Sequence, residues 1–399
     1  MRSIFQSGSL FLALLCLAHS GYGQSETLPK EITAHSLDGV KLVLDGKVDE
    51  EFWLSKPASG DFKMTVPIEG GDPSQKTEIR IAFDEENLYI AAILFDTDPS
   101  GIKAFKKKRD DGLNTDDRFM FILDTFNDKR RGYFFETNPN ALRGDGLLSG
   151  GGGRRGVNKD WDGIWKAWTE KGDFGWSVEI KIPFRSLNFD PNNDSWGINF
   201  QRTIRRNSEE LLWTGHKRNQ GLTRPQNAGV MRGLKDPSQG LGLEVVPYGL
   251  VSTSKNTNED TEKLETDNNA EFGFDINYNI TSSLKASITY NTDFAQTEVD
   301  DRQINLTRFS LRFPEKRDFF LEGSSTVQFA PRSNVDPYFS RRIGLSGGIP
   351  APITYGGRLF GNVGNSNIYL LQVRTAATPE QKVEDFTVGR YRLEFGKES

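Results

Sequence analysis

Two adjacent stretches of the chain alternate apolar and polar side chains almost without interruption. One runs from 272 to 280 and the other from 284 to 290, with the polar turn Thr281-Ser282-Ser283 between them. Side chains of a strand point alternately to opposite faces, so each stretch has one apolar and one polar face. The pattern predicts an antiparallel hairpin. It fits a soluble sandwich and also a transmembrane barrel with an apolar lipid face and a polar lumen.

The N-terminus has the pattern of an export signal. Arg2 is followed by the apolar run Leu10–Ala18, and Gly21-Tyr22-Gly23 supplies small residues ahead of a cleavage site before Gln24. The run is too short to span a bilayer as a helix. We predict a signal peptide at 1–23 and a polar leader at 24–38, hence an exported protein.

Cysteine and charge exclude several functions. Cys16 lies inside the signal and is the only cysteine, so the mature chain has no disulfide, thiol nucleophile or thiolate metal site. Leucines before Cys16 disfavour a lipoprotein signal. A net charge of -5 argues against nucleic acid as a partner. With only His35 and His216 left after cleavage, a zinc site or a histidine-based triad is disfavoured.

Between residues 39 and 236 short alternating stretches recur, with turn residues between them. In one, Ile79, Ile81 and Phe83 share a face, and in another the alternation from Trp176 to Ile182 ends at Pro183. Such spacing is typical of an antiparallel β-sandwich. We also predict a short strand at Lys41–Leu44 and helical turns around Val48, Phe52 and Trp53.

From residue 241 onward the predicted strands are joined alternately by short and long connections, as in a barrel. The candidates include Leu241–Val251, the hairpin described first and Phe309–Phe313, and the polar segment Ser254–Ala270 is predicted as a long mobile loop. About half a dozen strands fit, fewer than the ~8 that close a small barrel. We therefore expect 241–399 to be the N-terminal part of a transmembrane-type barrel, truncated from a longer protein.

Several motifs of the first region resemble family 9 carbohydrate-binding modules. They are Leu44-Asp45-Gly46 with Asp49, Phe52 and Trp53; Ala82-Phe83-Asp84 with Asn87-Leu88-Tyr89; Asp116-Asp117 with Leu123-Asp124-Thr125; Phe135 with Asn138-Pro139; and Gly175-Trp176 with Glu179-Ile180, Ile182-Pro183-Phe184 and Leu187. The resemblance implies a sandwich of the sugar-binding type.

Motifs of the second region resemble an outer-membrane domain of unknown function that commonly follows such a module in Gram-negative bacteria. They are Phe272-Gly273-Phe274-Asp275; Asn291 with Asp293-Phe294, Gln296, Glu298 and Asp300; Phe313-Pro314-Glu315-Lys316-Arg317 with Phe319-Phe320-Leu321-Glu322-Gly323; and Phe339-Ser340-Arg341-Arg342-Ile343-Gly344. Together the two resemblances imply a sugar-binding-like sandwich joined to a membrane β-barrel, located at the outer membrane, on the cell surface or its periplasmic side.

Sugar sites combine aromatic rings with a few polar groups that fix hydroxyls. The candidate rings are Trp161, Trp165, Trp168 and Trp213, and the candidate polar groups are Arg109, Asp116 and Asn138. Ordinary packing is the alternative for each ring. Trp53, Trp176 and Trp196 fall on apolar faces and are predicted core. Arg202 interrupts an apolar face, which predicts a buried ion pair with a strand carboxylate such as Glu179.

Acidic residues in loops allow one kind of metal site. An EF-hand beginning at Asp96 is rejected because Lys107 stands where the bidentate Glu is needed. Structural Ca²⁺ held by loop oxygens remains an alternative to a solvated acidic loop. The candidate ligands are Asp110, Asp111, Asp160 and Asp162.

Three functions remain open. The favoured one is non-catalytic glycan capture or surface display by an exported protein whose partners are a glycan and outer-membrane lipid. The second is hydrolysis of glycosidic bonds in carbohydrate breakdown. Spacing singles out no catalytic pair among Asp116, Asp117, Glu136 and Glu179. The third is a structural or transport barrel whose sandwich has lost sugar binding.

Overall fold

The computed structural model describes residues 29–148, 156–257, 264–292, 315–327, 338–346, 349–377 and 382–393. The predicted signal peptide, the first residues of the leader and the strand candidate Phe309–Phe313 lie outside these ranges. Among the described residues no helix has the length and apolar character needed to span a membrane.

Thirteen of the described strands form the sandwich, the region from residue 31 to residue 232. They are β1 (Glu31–Ser36), β2 (Lys63–Val66), β3 (Thr77–Phe83), β4 (Asn87–Phe95), β5 (Arg118–Asp124), β6 (Gly132–Thr137), β7 (Arg143–Leu148), β8 (Val157–Asn158), β9 (Lys166–Gly172), β10 (Gly175–Pro183), β11 (Ser195–Ile204), β12 (Glu209–Leu212) and β13 (Gly229–Arg232). Helix α1 (Glu51–Ser55) and 3₁₀ turns at Pro99–Gly101, Phe184–Ser186, Arg205–Asn207 and Pro225–Asn227 complete the region.

These strands form two sheets that share β1. Sheet A has the order β8-β7-β6-β5-β11-β13-β1, with β12 and β2 beside β11, and sheet B has the order β1-β3-β4-β10-β9. Strand β1 is parallel to β13 at Glu31–Thr33 and parallel to β3 at Ala34–Ser36, whereas the other pairs are antiparallel. The predicted leader is therefore wrong in its second half. Residues 31–36 belong to the sandwich because Ile32 and Ala34 enter its core.

Apolar side chains at alternate positions fill the space between the two sheets. Trp176, Val178 and Ile180 of β10 face Phe200 and its neighbours on β11, and all are at most 1% exposed. Full burial of one large apolar side chain contributes about 1.5–3 kcal/mol, so this layer supplies most of the driving force. The predicted β-sandwich is confirmed.

The outer face of sheet B has its own cover, residues 37–56. Trp53 of α1 is fully buried and packs with Leu37 and Val48 against Tyr89 and Ala91 of β4. The helical turns predicted around Trp53 are thus confirmed by α1. The strand predicted at Lys41–Leu44 is absent, because this segment lies on the sheet face and pairs with no strand edge.

The C-terminal sheet is a six-stranded antiparallel meander in the described residues beyond 242. Its strands are β14 (Leu243–Thr257), β15 (Leu264–Thr281), β16 (Leu284–Tyr290), β19 (Ile353–Val363), β20 (Ser366–Thr375) and β21 (Asp385–Leu393). Strands β17 (Leu345–Ser346) and β18 (Ile349–Pro350) form a separate small hairpin. The region also contains α2 (Asp318–Leu321), α3 (Ser324–Val327) and a 3₁₀ turn at Ser340–Arg342.

The hairpin predicted at 272–290 is confirmed, with Ile276 opposite Ile288. The mobile loop predicted at Ser254–Ala270 is wrong for most of its length. β14 continues to Thr257 and β15 begins at Leu264, because backbone pairing between the two strands does not require apolar side chains.

Strand β16 of the C-terminal sheet has inverted polarity. On β16 the polar Lys285, Ser287 and Thr289 are buried, while Ile288 and Tyr290 are 55% and 47% exposed. The buried face is covered by α2 and α3, whose Phe319, Phe320 and Val327 pack on β19 and β20. The other face presents apolar side chains with no cover among the described residues. On β16 this arrangement is the opposite of that in a soluble sheet, whose apolar face is inside, whereas on β19 and β20 the covered face is apolar.

Candidate functional site

A cavity of about 620 Å³ lies between the sandwich and the C-terminal sheet. We call it the interface cavity. It is lined by Glu86, Trp161, Asp162, Gly163, Ile164, Arg185, Ser186, Gln239, Gly240, Leu241, Gly242, Leu243, Glu244, Val246, Asp275, Asn277, Asn279, Lys285, Asp318, Phe319, Glu322 and Arg358. Its volume falls within the range typical of small-ligand sites.

The sandwich wall of the cavity is the loop 161–164, which precedes β9. Trp161 packs at 5.1 Å from the ring of Tyr133 and is 7% exposed. Its ring also lies over Gly163, where an added Cβ would come within 2.6 Å of the indole. Only glycine therefore allows this loop to turn beneath the tryptophan.

Arg109 anchors the same loop from behind. Its guanidinium lies 2.8 Å from Asp162 and 2.6 Å from Asp145, and it donates to the carbonyl of Gly163 at 3.0 Å. Asp145 is fully buried and also accepts a hydrogen bond from the indole N–H of Trp165. Burial raises the pKa of Asp145 to about 6 against the effect of these donors. Arg109 and Asp145 are thus a support for the cavity wall.

The opposite wall is the polar face of the C-terminal sheet. Asn277 accepts from Ser287 at 2.7 Å and donates to Glu244 at 3.1 Å, which fixes its amide. Lys285 pairs with Glu322, and Arg358 donates to the Glu322 carbonyl. These contacts satisfy the side chains of Asn277 on β15 and of Ser287 and Lys285 on β16.

Arg358 and Phe319 form the corner between this wall and helix α2. The guanidinium lies 5.0 Å from the centre of the Phe319 ring and 4.6 Å from that of Phe360. Such cation–π stacking can hold a guanidinium in place without an ion pair to a carboxylate. Asp318 at the start of α2 keeps solvent contact inside the cavity.

Asp318 has an altered acidity. Partial desolvation raises its pKa to about 6, and the negative charges of Asp162, Asp275, Glu322 and Glu244 act in the same direction. In the described part of the chain no cation forms an ion pair with it. The cavity therefore combines the oriented amide of Asn277 with carboxylates, which can bind sugar hydroxyl groups, beside the buried rings of Trp161 and Phe319.

Three of the four predicted sugar-stacking rings are in the core. Trp165, Trp213 and Trp161 are 1%, 3% and 7% exposed. Trp165 packs edge-on against Phe135, and Trp213 packs against Phe200. Because both faces of these rings are occupied, the prediction that they stack on a sugar is corrected, although Trp161 still borders the interface cavity.

Trp168 is the remaining ring candidate. It lies on β9, the edge strand of sheet B, and is half-buried opposite Glu179. Trp165 precedes this strand, so the two rings do not share it. The structure does not bring Trp168 together with the other candidates at one site.

The polar candidates Asp116 and Asn138 are fully buried. Asp116 accepts from the backbone N–H groups of Phe105 and Lys106 at 2.8 and 2.9 Å, and from the Asn138 amide at 2.8 Å. These bonds pin the loop between β4 and β5 to β6. Their prediction as sugar-binding groups is corrected, because every one of these contacts faces the protein interior.

The predicted calcium ligands do not converge. Asp110 and Asp162 lie 3.4 and 2.8 Å from the guanidinium of Arg109, which occupies the place a cation would take. Asp111 and Asp160 are not part of that group. Among the described residues no cluster of acidic or histidine side chains could hold a metal ion. The prediction that these four residues bind one metal ion together is therefore wrong.

Arg202 is buried without a carboxylate partner. It donates to the carbonyls of Lys76 and Phe95 at 2.8 and 2.7 Å and to the Thr77 hydroxyl at 3.1 Å. Burial lowers its pKa to about 10. The predicted pair with Glu179 is wrong, because Glu179 points to the opposite face of sheet B and binds the cover segment.

The cavity residues Asn277, Lys285, Asp318, Glu322 and Arg358 were not among the sequence candidates. The alternation placed Asn277 and Lys285 on a polar face, which was the available signal. It did not show that this face would be enclosed by the sandwich.

Comparison with family models finds a match in the C-terminal region. The model of a domain of unknown function, DUF5916, matches residues 240–351. No curated protein matches the chain significantly.

The similar solved structures all align with about half of the chain. A family 9 carbohydrate-binding module from Caldicellulosiruptor kristjanssonii in complex with cellotriose has 17% identity and a TM-score of 0.37, covering 52% of this chain and 96% of its own. The glucose complex of a family 9 module from the same organism has 18% identity and a TM-score of 0.36, covering 53% and 98%. A carbohydrate-binding protein, described as putative, from Bacteroides uniformis ATCC 8492 has 15% identity and a TM-score of 0.40, covering 51% and 99%. Similarity at this level does not assign a ligand to this chain.

Proposed function

We propose that this chain is a non-catalytic glycan-binding protein of the cell envelope. Its glycan occupies the interface cavity, and its C-terminal sheet holds it at a membrane. The observation that carries the first half is the composition of the cavity wall. Asn277, Asn279 and Asp318 supply polar groups to this wall, beside the buried rings of Trp161 and Phe319.

Polyols are recognised by this combination of groups. Planar amides and carboxylates bind hydroxyl groups at fixed angles. The interface cavity offers these groups within about 620 Å³, enough for a small oligosaccharide. The acidic residues considered for hydrolysis serve elsewhere. Glu136 pairs with Lys159 and Arg118, and Glu179 binds the cover segment.

The second half of the proposal rests on the apolar side chains that the C-terminal sheet exposes on one face. Ile288 and Tyr290 of β16, Tyr278 of β15 and Leu370 of β20 are all exposed on its apolar face. A lipid environment removes this surface from water, whereas an aqueous one leaves it solvated at a cost. The export signal predicted at 1–23 brings the chain to a compartment where such a membrane is available.

Glycan binding is tested by calorimetry on the full mature chain in detergent, with cello-, chito- and galacto-oligosaccharides as probes. We expect at least one series to bind, and Asn277→Ala to weaken that binding about tenfold, because its amide is already oriented by Ser287 and Glu244. Asp173→Asn, an exposed change on the β9–β10 turn, is the matched control and leaves binding unchanged. Binding to no series, or equal binding by the Asn277 variant, contradicts the proposed site.

Membrane association is tested by flotation of the full chain with vesicles of phosphatidylethanolamine and phosphatidylglycerol. We expect co-flotation, and we expect Ile288→Asp to reduce it strongly because the change puts a charge on the apolar face. Val43→Asp is the matched control, since Val43 is 67% exposed on the sandwich. Recovery of the unaltered chain in the aqueous fraction would contradict the membrane assignment.

A further inference from the structure

The connections between strands of the C-terminal sheet differ at its two ends. At one end, residues 282–283 join β15 to β16 and residues 364–365 join β19 to β20. At the other end, the connections are 258–263, 291–352 and 376–384. We call these the short-turn end and the long-loop end. Membrane proteins built of strands have the same asymmetry, with short turns on the periplasmic side and longer loops outside the cell.

The sandwich joins the sheet at the short-turn end. The backbone N–H of Phe189 donates to the carbonyl of Ser282, in one of the short turns, at 2.9 Å. The chain also enters the sheet at this end, because β14 begins at Leu243. Just before β14, the backbone N–H of Ser238 donates to the carbonyl of Glu85 on the sandwich at 2.7 Å. The sandwich and the short turns therefore lie at the same end of the sheet.

The apolar face of β15 has the length of a membrane crossing. Every second side chain from Ala270 to Ile280 is apolar, and Phe272 is among those exposed. A tilted strand needs about 9–11 residues to cross a bilayer. The neighbouring strand β14 matches, since Leu243 and Val251 are exposed at the two ends of the paired stretch. The two strands thus carry an apolar band of crossing length.

Beyond this band the hairpin of β14 and β15 becomes polar. The next pair is Thr253 with Asn268, whose side chains share a hydrogen bond of 3.0 Å, and Lys255 follows on the same face. We call residues 253–257 and 264–268 the ribbon. Strand β16 does not reach this segment, so the ribbon extends past it at the long-loop end. A polar ribbon beyond an apolar band is suited to water on the far side of a membrane.

The size of the sandwich argues against the reverse direction. An exported chain that crosses a membrane with strands belongs to an outer membrane and reaches the periplasm first. To lie outside the cell, the sandwich of thirteen strands would have to pass through the lipid. Its surface carries exposed charges such as those of Lys107, Lys171 and Asp173, which lose their water at high cost in hydrocarbon. The ribbon is far smaller, and its two strands pair their backbone groups with each other.

We infer that the C-terminal sheet crosses an outer membrane with the sandwich and the short-turn end on the periplasmic side and the ribbon outside the cell. This inference rests on the membrane half of the proposed function and adds the direction of the crossing. The interface cavity lies against the sandwich, so the glycan that occupies it is one present in the periplasm.

Single cysteines test the direction in the full chain exported by a Gram-negative host. Cys16 is the only cysteine and lies in the predicted signal, so each introduced thiol is unique in the mature chain. The variants are Lys255→Cys in the ribbon, Asn365→Cys in a short turn and Asp173→Cys on the sandwich, all at exposed positions. The probe is a polymer-coupled maleimide too large to pass the outer membrane. It is applied to intact cells and to cells whose outer membrane has been permeabilised.

In intact cells we expect Lys255→Cys to be labelled at least tenfold more than the other two variants. After permeabilisation, all three should be labelled to a similar extent. Labelling of the detergent-solubilised chains is the control for thiol reactivity, and tryptophan fluorescence confirms that each variant retains the folded sandwich. Thr253→Cys, in the same ribbon, replaces Lys255→Cys if that variant fails to fold.

The outcomes separate this inference from the proposal beneath it. Labelling of Asp173→Cys and Asn365→Cys but not Lys255→Cys in intact cells overturns the direction while the membrane assignment stands. Labelling of all three in intact cells, or protection of all three in chains that stay with the membrane fraction, overturns the crossing. Protection of all three in chains recovered from the aqueous fraction overturns the membrane half of the proposed function itself.

Discussion

The sandwich and the C-terminal sheet each have a sheet face that a partner must cover, and they meet the need differently. In the sandwich, the apolar faces meet each other and the outer face of sheet B is closed by residues 37–56 of the same chain. In the C-terminal sheet, the closed face is polar on β16 and apolar on β19 and β20, and further apolar side chains stay open on the other face in the described residues.

This difference shows that alternation alone does not say which face is the inside. Ile180 of β10 and Ile288 of β16 are both isoleucines on antiparallel strands, yet they are 1% and 55% exposed. What distinguishes them is the partner available to each strand. A second apolar sheet buries the first isoleucine, and a polar network with Lys285, Glu322 and Arg358 turns the second one outward.

The largest expected effect comes from placing a charge at each of these isoleucines. Ile180→Asp should cost more than about 4 kcal/mol and prevent the sandwich from folding, because the carboxylate has no partner in the core. Ile288→Asp should leave the sandwich within about 0.5 kcal/mol of the unaltered chain. All 7 tryptophans lie between residues 53 and 213, so urea unfolding followed by their fluorescence reports on the sandwich alone. Equal losses of sandwich stability in the two variants would contradict the difference between the two sheets.

A second test disrupts the cover of sheet B. Gly46 has φ +94°, and an added Cβ would lie 2.5 Å from the backbone of Thr169, so Gly46→Ala should cost about 2–4 kcal/mol. Gly39 has a similar φ of +86° with open space around it, and Gly39→Ala should cost about 1 kcal/mol. Urea midpoints measure both. Similar losses would mean that backbone conformation, and not the close approach to β9, decides the result.

A third test removes the carboxylate that clamps the cover. Glu179 accepts from the backbone N–H groups of Asp45 and Gly46 and from the indole N–H of Trp53, each at 3.0 Å. Glutamine has one acceptor oxygen, so its amide N–H₂ must face a donor, and Glu179→Gln should cost about 1–3 kcal/mol at pH 8, where Glu179 is ionised. Glu170→Gln on the neighbouring strand is the control and should change the urea midpoint little. If Glu179→Gln leaves the urea midpoint unchanged, the cover is held by apolar packing alone.

The smallest expected effect is a pH dependence of the same clamp. Burial raises the pKa of Glu179 to about 7, so the folded state retains a proton that the unfolded state releases near pH 4 to 5. The stability linked to this proton is complete below the unfolded pKa and is lost as pH rises through about 7. Between pH 5 and pH 8 the unaltered chain should therefore lose about 1 kcal/mol more than Glu179→Gln. Parallel pH profiles of the two urea midpoints would contradict this assignment.

Local pattern was enough for the strands and insufficient for the site. The hairpin at 272–290 and the strands β3 and β10 follow from period-two alternation, because that property belongs to a few consecutive residues. The leader and the long loop were wrong where polar residues form strands, at 31–36 and at 264–270. In both segments the pairing partner supplies the stability that composition does not.

The interface cavity shows the limit most clearly. Trp161 lies more than a hundred residues before Asn277 and Asp318 in the sequence, and no local pattern relates the three. Arg109 gave a correct signal of a polar cluster, but its partners Asp145 and Asp162 convert a predicted ligand or metal site into a support. Packing decided these roles, because burial and pairing depend on the surface that each residue meets.

By itself the sequence determined that the chain is built of strands with two-sided polarity, and where most of them begin and end, since backbone geometry fixes the side-chain period. The tertiary structure alone decided which tryptophans became core, which polar face was enclosed and where a cavity formed. The physical reason is that burial, ion pairing and solvation energies arise between surfaces distant in sequence, and they exist only after the sheets have come together.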